Sequence, residues 1–205
     1  MSIEKAYNSW AADYDSNDNK TRDLDQKATI KTLEDLNFDK VLELGCGTGK
    51  NTNWLIDKAD EIIGLDFSTE MLTIAKEKIS SPKVQFLKTD LNEKWDVPNG
   101  FADLVTASLT LEHIKDLDAI FKQANQKLKE NGHFFICELH PIKQYLGSKA
   151  QFETKDGMQD LEVYVHHTSE YIEAAQKNGF KLQELKEWFD LDTPIPRLIS
   201  FLFKK

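Results

Sequence analysis

Cysteine is almost absent: the 205 residues hold two, Cys46 and Cys137. That number excludes a disulfide framework, and their spacing matches no metal-ligand pattern, so both are expected as reduced thiols with no metal bound. Long apolar runs are missing too. Nothing approaches the roughly 18 apolar residues a membrane helix needs, and the start "MSIEKAYNSW" has no apolar signal core, which leads to the expectation of a cytoplasmic protein with no membrane partner. Basic charge is in deficit: Lys and Arg total 26 against 35 Asp and Glu, a formal net charge of -9. Such a balance disfavours broad attraction to nucleic acid, so none is expected as a partner. There is no internal repeat and no low-complexity tract. What remains is a chain with 40% hydrophobic residues, long enough for one sizeable core and too short for two catalytic domains. It is expected as one domain, monomer or homodimer.

After residue 40, strand-like and helix-like segments alternate, the pattern of a parallel sheet wrapped by helices. Short apolar runs stand at "KVLEL" (40–44), "EIIGLD" (61–66), "KVQFLKTD" (83–90), "ADLVTAS" (102–108) and "GHFFICEL" (132–139). Amphipathic stretches from Ser68 and Asp116 lie between them, each opened by an N-cap, and Gly132 stands where the second helix is expected to end. Residues 1–38 read as a helical cap and 39–139 as the core. Residues 140–167 read as an insert with a hairpin around Asp156-Gly157, and 168–205 as a final helix with two strands.

The stretch "VLELGCGTGKNT" (41–52) presents a glycine loop between a strand and a helix. A P-loop needs G-x-x-x-x-G-K-[ST]; here Gly45 to Gly49 is one residue short and Asn51 follows Lys50. A dinucleotide loop needs a third glycine where this chain has Lys50. Glu43, at the end of the strand, would repel a pyrophosphate and attract a cation. The expected ligand is therefore cationic and free of phosphate, and S-adenosylmethionine meets both conditions.

With these residues in view, "VLELGCGTG" resembles motif I of the class I S-adenosylmethionine-dependent methyltransferases of the small-molecule type. The resemblance continues in order along the chain. Asp66 matches the family's ribose-binding acid, Phe67 and Met71 the apolar residues beside the adenine, and Asp90 with Leu91 the position that meets the adenine amino group. Ser108 and Leu109 fall where the family places the methionine part of the cofactor, and Tyr14 in "YNSWAADYD" matches a cofactor-contacting tyrosine. The resemblance implies a Rossmann-like three-layer αβα fold with a seven-stranded, mostly parallel sheet of order 3-2-1-4-5-7-6, strand 7 antiparallel. It implies a cofactor site made of these residues together with Glu43, Gly45, Cys46, Gly47 and Gly49, with S-adenosylhomocysteine as the product.

Each residue also has a structural reading: the glycines as turn formers, Asp66 and Asp90 as helix caps, Tyr14 as part of an apolar helix face. Methyl transfer to an activated carbon relies on alignment and needs no obligatory base, although a histidine helps when the acceptor must lose a proton. His113 and His140 lie at the carboxyl edge of the sheet, where open α/β folds hold ligands, and are the candidate bases. Tyr145, Phe152, Tyr164 and His166 are the candidate acceptor-pocket residues in the insert. Signatures for methylating nucleic-acid bases are absent after the fourth run, which favours a small-molecule acceptor with an oxygen, nitrogen or carbon nucleophile. Two other readings stand beside this one: a non-catalytic protein of the same fold that binds the cofactor or docks a partner, and a nicotinamide-dependent dehydrogenase, which the loop disfavours.

Overall fold

A computed structural model describes residues 3–16, 18–147, 151–154, 157–160 and 163–205. Two helices come first, α1 (Ile3–Tyr14) and α2 (Lys20–Leu33). The core then alternates: β1 (Lys40–Leu44), α3 (Lys50–Leu55), β2 (Glu61–Asp66), α4 (Thr69–Lys78), β3 (Val84–Lys88), β4 (Ala102–Ser108), a single 3-10 turn (Leu111–His113), α5 (Leu117–Lys127) and β5 (Leu128–Leu139). After α6 (Pro141–Tyr145), strands β6 (Gln151–Thr154) and β7 (Gly157–Asp160) pair antiparallel on their own. Helix α7 (Thr168–Lys177) and strands β8 (Lys181–Phe189) and β9 (Pro196–Lys204) complete the chain. The expected hairpin is therefore formed, with Asp156 of its turn outside the described residues.

The large sheet has the order β3-β2-β1-β4-β5-β9-β8. Strands β1 to β5 run parallel, and β9 is antiparallel to both β5 and β8. Counted along the sheet alone, this is the expected order 3-2-1-4-5-7-6. Each central strand is apolar on both faces because helices cover both, and alternation assigns the sides. Leu42 and Leu44 of β1, Val105 and Ala107 of β4, Phe134 and Ile136 of β5, and Phe201 and Phe203 of β9 pack toward α5 and α7. Val41, Leu104, Phe135, Cys137 and Leu202 pack toward α2. Parity puts Glu43 on the side of Val41.

The expected N-caps are present: the Ser68 hydroxyl accepts from Met71 N and the Asp116 carboxylate from Ala119 N. The end of α5 differs from expectation. The helix stops at Lys127, and Gly132 lies inside β5. Leu128 already pairs with Ala102 of β4, and the buried Lys127 ammonium donates to Val97 O at 2.6 Å and Asn99 Oδ1 at 2.9 Å, which turns the chain into the sheet. The left-handed residue is Asn131 (φ 65°), while at Gly132 a Cβ would meet Asp103 O at 3.1 Å. Close backbone approach, not a helix cap, requires that glycine.

Phe134, fully buried, meets Phe121 edge to face at a centroid distance of 5.2 Å. Phe134→Ala is expected to cost about 3–5 kcal/mol, read as a lower urea midpoint at unchanged slope.

Candidate functional site

The carboxyl ends of β1, β2 and β4 open into a cavity of about 450 Å³. The loop after β1 forms its floor. Gly45, Gly47 and Gly49 all have positive φ (66°, 53° and 80°), a backbone path that only glycine follows without strain. Their surroundings separate their roles. A Cβ on Gly45 would lie 2.1 Å from Thr110 Oγ1 and one on Gly49 2.6 Å from Ile79 Cδ1, whereas one on Gly47 would meet nothing within 4 Å. Gly45 and Gly49 allow close packing; Gly47 faces open space.

Asp66, at the end of β2, holds this loop. Its Oδ2 accepts from Gly47 N at 2.9 Å and its Oδ1 from Ser68 N at 2.8 Å. Burial raises its pKa, against which these backbone donors work. These donors occupy part of the carboxylate's accepting capacity, and Asp66 presents the rest to the cavity. Beyond Asp66 the wall is formed by Phe67, Met71, Asp90 and Leu91, and on the β4 side by Ser108 and Leu109. Asp90 accepts from Asn92 N at 2.9 Å, which sets the turn after β3. Leu109 has φ 51° without being glycine, strained backbone of the kind that clusters at functional sites.

Helix α1 lies across the cavity mouth. Ile3, Glu4, Tyr7 and Tyr14 line the cavity from above. Polar contacts hold the helix down: Lys88 Nζ to Glu4 Oε1 at 2.8 Å, Ser68 Oγ to Asn8 Oδ1 at 2.7 Å, and Tyr7 Oη to His113 Nε2 at 2.8 Å. Farther along, Asp15 accepts from Thr48 Oγ1 at 2.8 Å and pairs with Lys78 at 2.7 Å.

A second, smaller cavity of about 60 Å³ lies behind the glycine loop and shares Tyr14, Gly45, Gly47, Ser108 and Leu109 with the first. Glu43 and Cys46 line this one, not the larger one. Glu43 is buried, accepts from Thr52 Oγ1 at 2.5 Å, and burial pushes its pKa up to about 8. Asp25 of α2 faces the same space, and burial lifts it to about 6 although the Asn51 amide donates to it at 3.0 Å. Thr106 Oγ1 and Asn51 Oδ1, on residues that line the cavity, are buried without a hydrogen-bond partner among the described residues. Arg22 forms part of the wall, its guanidinium 4.0 Å from the Tyr14 ring centroid. Carboxyls and orphaned oxygens around a small space suit a cationic group.

Of the residues expected from sequence, the structure gathers Tyr14, Gly45, Gly47, Asp66, Phe67, Met71, Asp90, Leu91, Ser108, Leu109 and His113 around the larger cavity. Gly49 supports the loop from behind. His140 is not in the wall: it caps α6, its Nδ1 accepting from Ile142 N at 3.1 Å and its Nε2 facing Glu187 Oε1 at 3.0 Å. Tyr145 is exposed and bonded to His167 Nδ1. His166 is buried, its Nε2 donating to Ile114 O at 2.7 Å, and Tyr164 N donates to Glu112 O at 2.7 Å. These two residues brace the turn carrying His113; neither they nor Tyr145 line the cavity. The side chain of Phe152 lies outside the described part of the chain. Sequence reasoning missed Ile3 and Tyr7, whose i, i+4, i+11 spacing with Tyr14 was the available signal, and Asp25 and Arg22, for which no motif exists.

A methyltransferase domain family model matches residues 16–185, most of the chain. A demethylmenaquinone methyltransferase from Lactococcus lactis is 30% identical over 152 residues, covering 68% of this chain and 59% of that protein. A ubiquinone biosynthesis O-methyltransferase from Pelagibacter ubique is 27% identical, covering 82% of this chain and 71% of its own. The chain spans 59% of the length of the Lactococcus lactis relative and 64% of that of an uncharacterised Haemophilus influenzae relative. Among solved structures, a Listeria monocytogenes protein assigned as an S-adenosylmethionine-dependent methyltransferase superposes with a TM-score of 0.77 at 25% identity, covering 89% of this chain and 97% of that one. The strand order, the glycine loop and a family match over residues 16–185 lead to one conclusion: the chain belongs to the methyltransferase domain family and has the class I S-adenosylmethionine-dependent methyltransferase fold.

Proposed function

We propose that the chain is an enzyme that moves a methyl group from S-adenosylmethionine to the oxygen, nitrogen or carbon nucleophile of a small molecule. The observation that carries this reading is the pair of adjacent cavities that share Gly45 and Gly47 in their walls, one with a carboxylate and apolar walls, the other with buried carboxyls. These residues fit the cofactor. Asp66 would accept from the ribose hydroxyls, Phe67, Met71 and Leu91 would flank the adenine, and Asp90 would meet its amino group. Ser108 and Leu109 would hold the methionine part, with Tyr14 covering it. Glu43 and Asp25 would face the ammonium, while Cys46 and Gly49 shape the loop. When bound, the cofactor supplies an electrophilic methyl carbon whose bonding pair leaves with sulfur.

The protein's share of the work is alignment, exclusion of water by α1, and removal of the acceptor's proton where it has one. His113 is the base in this reading, since it lines the cavity and His140 does not. Residues 140–167 are the proposed acceptor lid of the single domain, in which Tyr164 and His166 act by bracing the turn that carries His113 and not by touching the acceptor. The quinone-pathway names of two relatives support a small ring-bearing acceptor. A cytoplasmic site of action belongs to the same proposal, supported by two buried free cysteines.

Calorimetry with S-adenosylhomocysteine tests the cofactor assignment. Asp66→Ala loses two charge-assisted hydrogen bonds, about 3 kcal/mol or roughly 100-fold in affinity, and Gly47→Val weakens binding through a β-branched residue at positive φ. Unchanged affinity in both, with folding verified by circular dichroism, contradicts the assignment. Transfer of a labelled methyl group across a panel of small phenols, amines and carbon acids tests turnover; tight binding with no transfer to any of them favours the non-catalytic reading.

The buried carboxyls predict a pH dependence. Glu43 and Glu138 hold their protons to about pH 8 and Asp25 to about pH 6 in the fold, whereas unfolded carboxyls ionise near pH 4. The folded state thus binds more protons between these values, and stability falls as pH rises from 5 to 8. The melting temperature of the ligand-free protein is expected to drop over that range, by about 2–4 °C per kcal/mol lost. Glu43→Gln, neutral throughout, is expected to flatten the decline. An equal decline in the variant would assign the effect to other groups.

A further inference from the structure

The 3-10 turn Leu111–His113 is one turn long, yet other parts of the fold grip it at both ends. Glu138 Oε1 of β5 accepts from Thr110 N at 3.0 Å and Leu111 N at 2.9 Å. From the segment before α7, Tyr164 N donates to Glu112 O at 2.7 Å and His166 Nε2 to Ile114 O at 2.7 Å. This clamp fixes two side chains in particular. His113 points Nε2 toward the cavity, where the Tyr7 hydroxyl of α1 meets it at 2.8 Å. Glu112 lies next to it, half-buried, with Oε1 3.9 Å from the same nitrogen. Glu112 Oε2 is buried with no hydrogen-bond partner among the described residues.

A buried orphan oxygen is costly on an ionised carboxyl unless a positive charge lies within reach. Among the described residues, the titratable groups in electrostatic reach of Glu112 include His113 on its own turn, Tyr7 on α1, Glu138 on β5 and Tyr171 on α7. Burial holds Tyr7 and Tyr171 well above the usual phenol range, so both stay neutral, and Glu138 can only repel. Within that set, His113 alone can become a cation next to Glu112.

We infer that Glu112 is a positioning residue whose carboxylate stabilises the His113 imidazolium formed when Nε2 takes the proton of the methyl acceptor. The inference rests on the methyltransferase reading above. As the acceptor atom X forms its new bond to the methyl carbon and that carbon's former bonding pair leaves with sulfur, the X–H bond breaks, its electrons stay on X, and the proton moves to Nε2. The Tyr7 hydroxyl now occupying Nε2 marks where that X–H sits, and the acceptor replaces it there. Burial lifts Glu112 to about pH 7, so the base-competent state, carboxylate beside neutral imidazole, gains population as pH rises through neutrality.

Imidazole-labelled NMR titration of the full chain, saturated with S-adenosylhomocysteine, tests this without turnover. Glu112→Gln is expected to move the His113 titration midpoint about one unit lower, the loss of one nearby anion. Glu112→Asp, which keeps the charge on a shorter arm, should fall between Gln and wild type and serves if the Gln variant does not fold. A His113 midpoint identical in wild type and the folded variants overturns the inference. Calorimetry on the same samples separates the two readings. Wild type that binds no S-adenosylhomocysteine fails the cofactor reading itself, whereas intact binding with an unmoved midpoint fails only the role of Glu112.

Discussion

The Asp66 carboxylate joins the ends of two strands, and both cavities depend on that link. By accepting from Gly47 N at 2.9 Å and Ser68 N at 2.8 Å, it ties the loop after β1 to the start of α4. The loop then follows a left-handed path at three glycines, leaves Gly47 facing open space, and separates the larger cavity from the smaller one. One side chain thus sets the loop, starts a helix and presents its remaining lone pairs to the cavity. Such overlap of fold and site concentrates sensitivity at a single position.

The acids around that link share one perturbation. Glu43, Asp25, Asp66, Glu112 and Glu138 are all held above their ordinary pKa, each mainly by burial. A cation placed among them lowers the cost of ionising the buried carboxyls. The loop that fails as a phosphate loop and the acids that surround it therefore agree. The proposed sulfonium cofactor relieves strain that the ligand-free fold carries in its ionisation.

Much of the architecture was legible because a parallel sheet covered on both faces leaves short apolar runs spaced by amphipathic helices, and residues 40–139 carry that signal. The end of α5 was not, since Leu128 and Lys127 answer to contacts on β4 and at Val97 and Asn99 that no local pattern encodes. Glu43 was singled out by its place before the glycines, and the alternation along β1 puts it behind the loop, beside Thr52 and near Asp25. His140 and His166 looked like site residues because of their position in the chain order, yet each satisfies a local capping or bracing need. Tyr7, Asp25 and Glu112 acquire meaning only when α1, α2 and the turn after β4 converge, which is a property of the tertiary fold.

A crystal structure of the chain with S-adenosylhomocysteine bound tests the assignment most directly. The expected result places the ribose hydroxyls within about 3 Å of the Asp66 carboxylate and the ammonium in the small cavity beside Glu43 and Asp25. A ribose held by any other group, or an ammonium remote from both carboxyls, would contradict it.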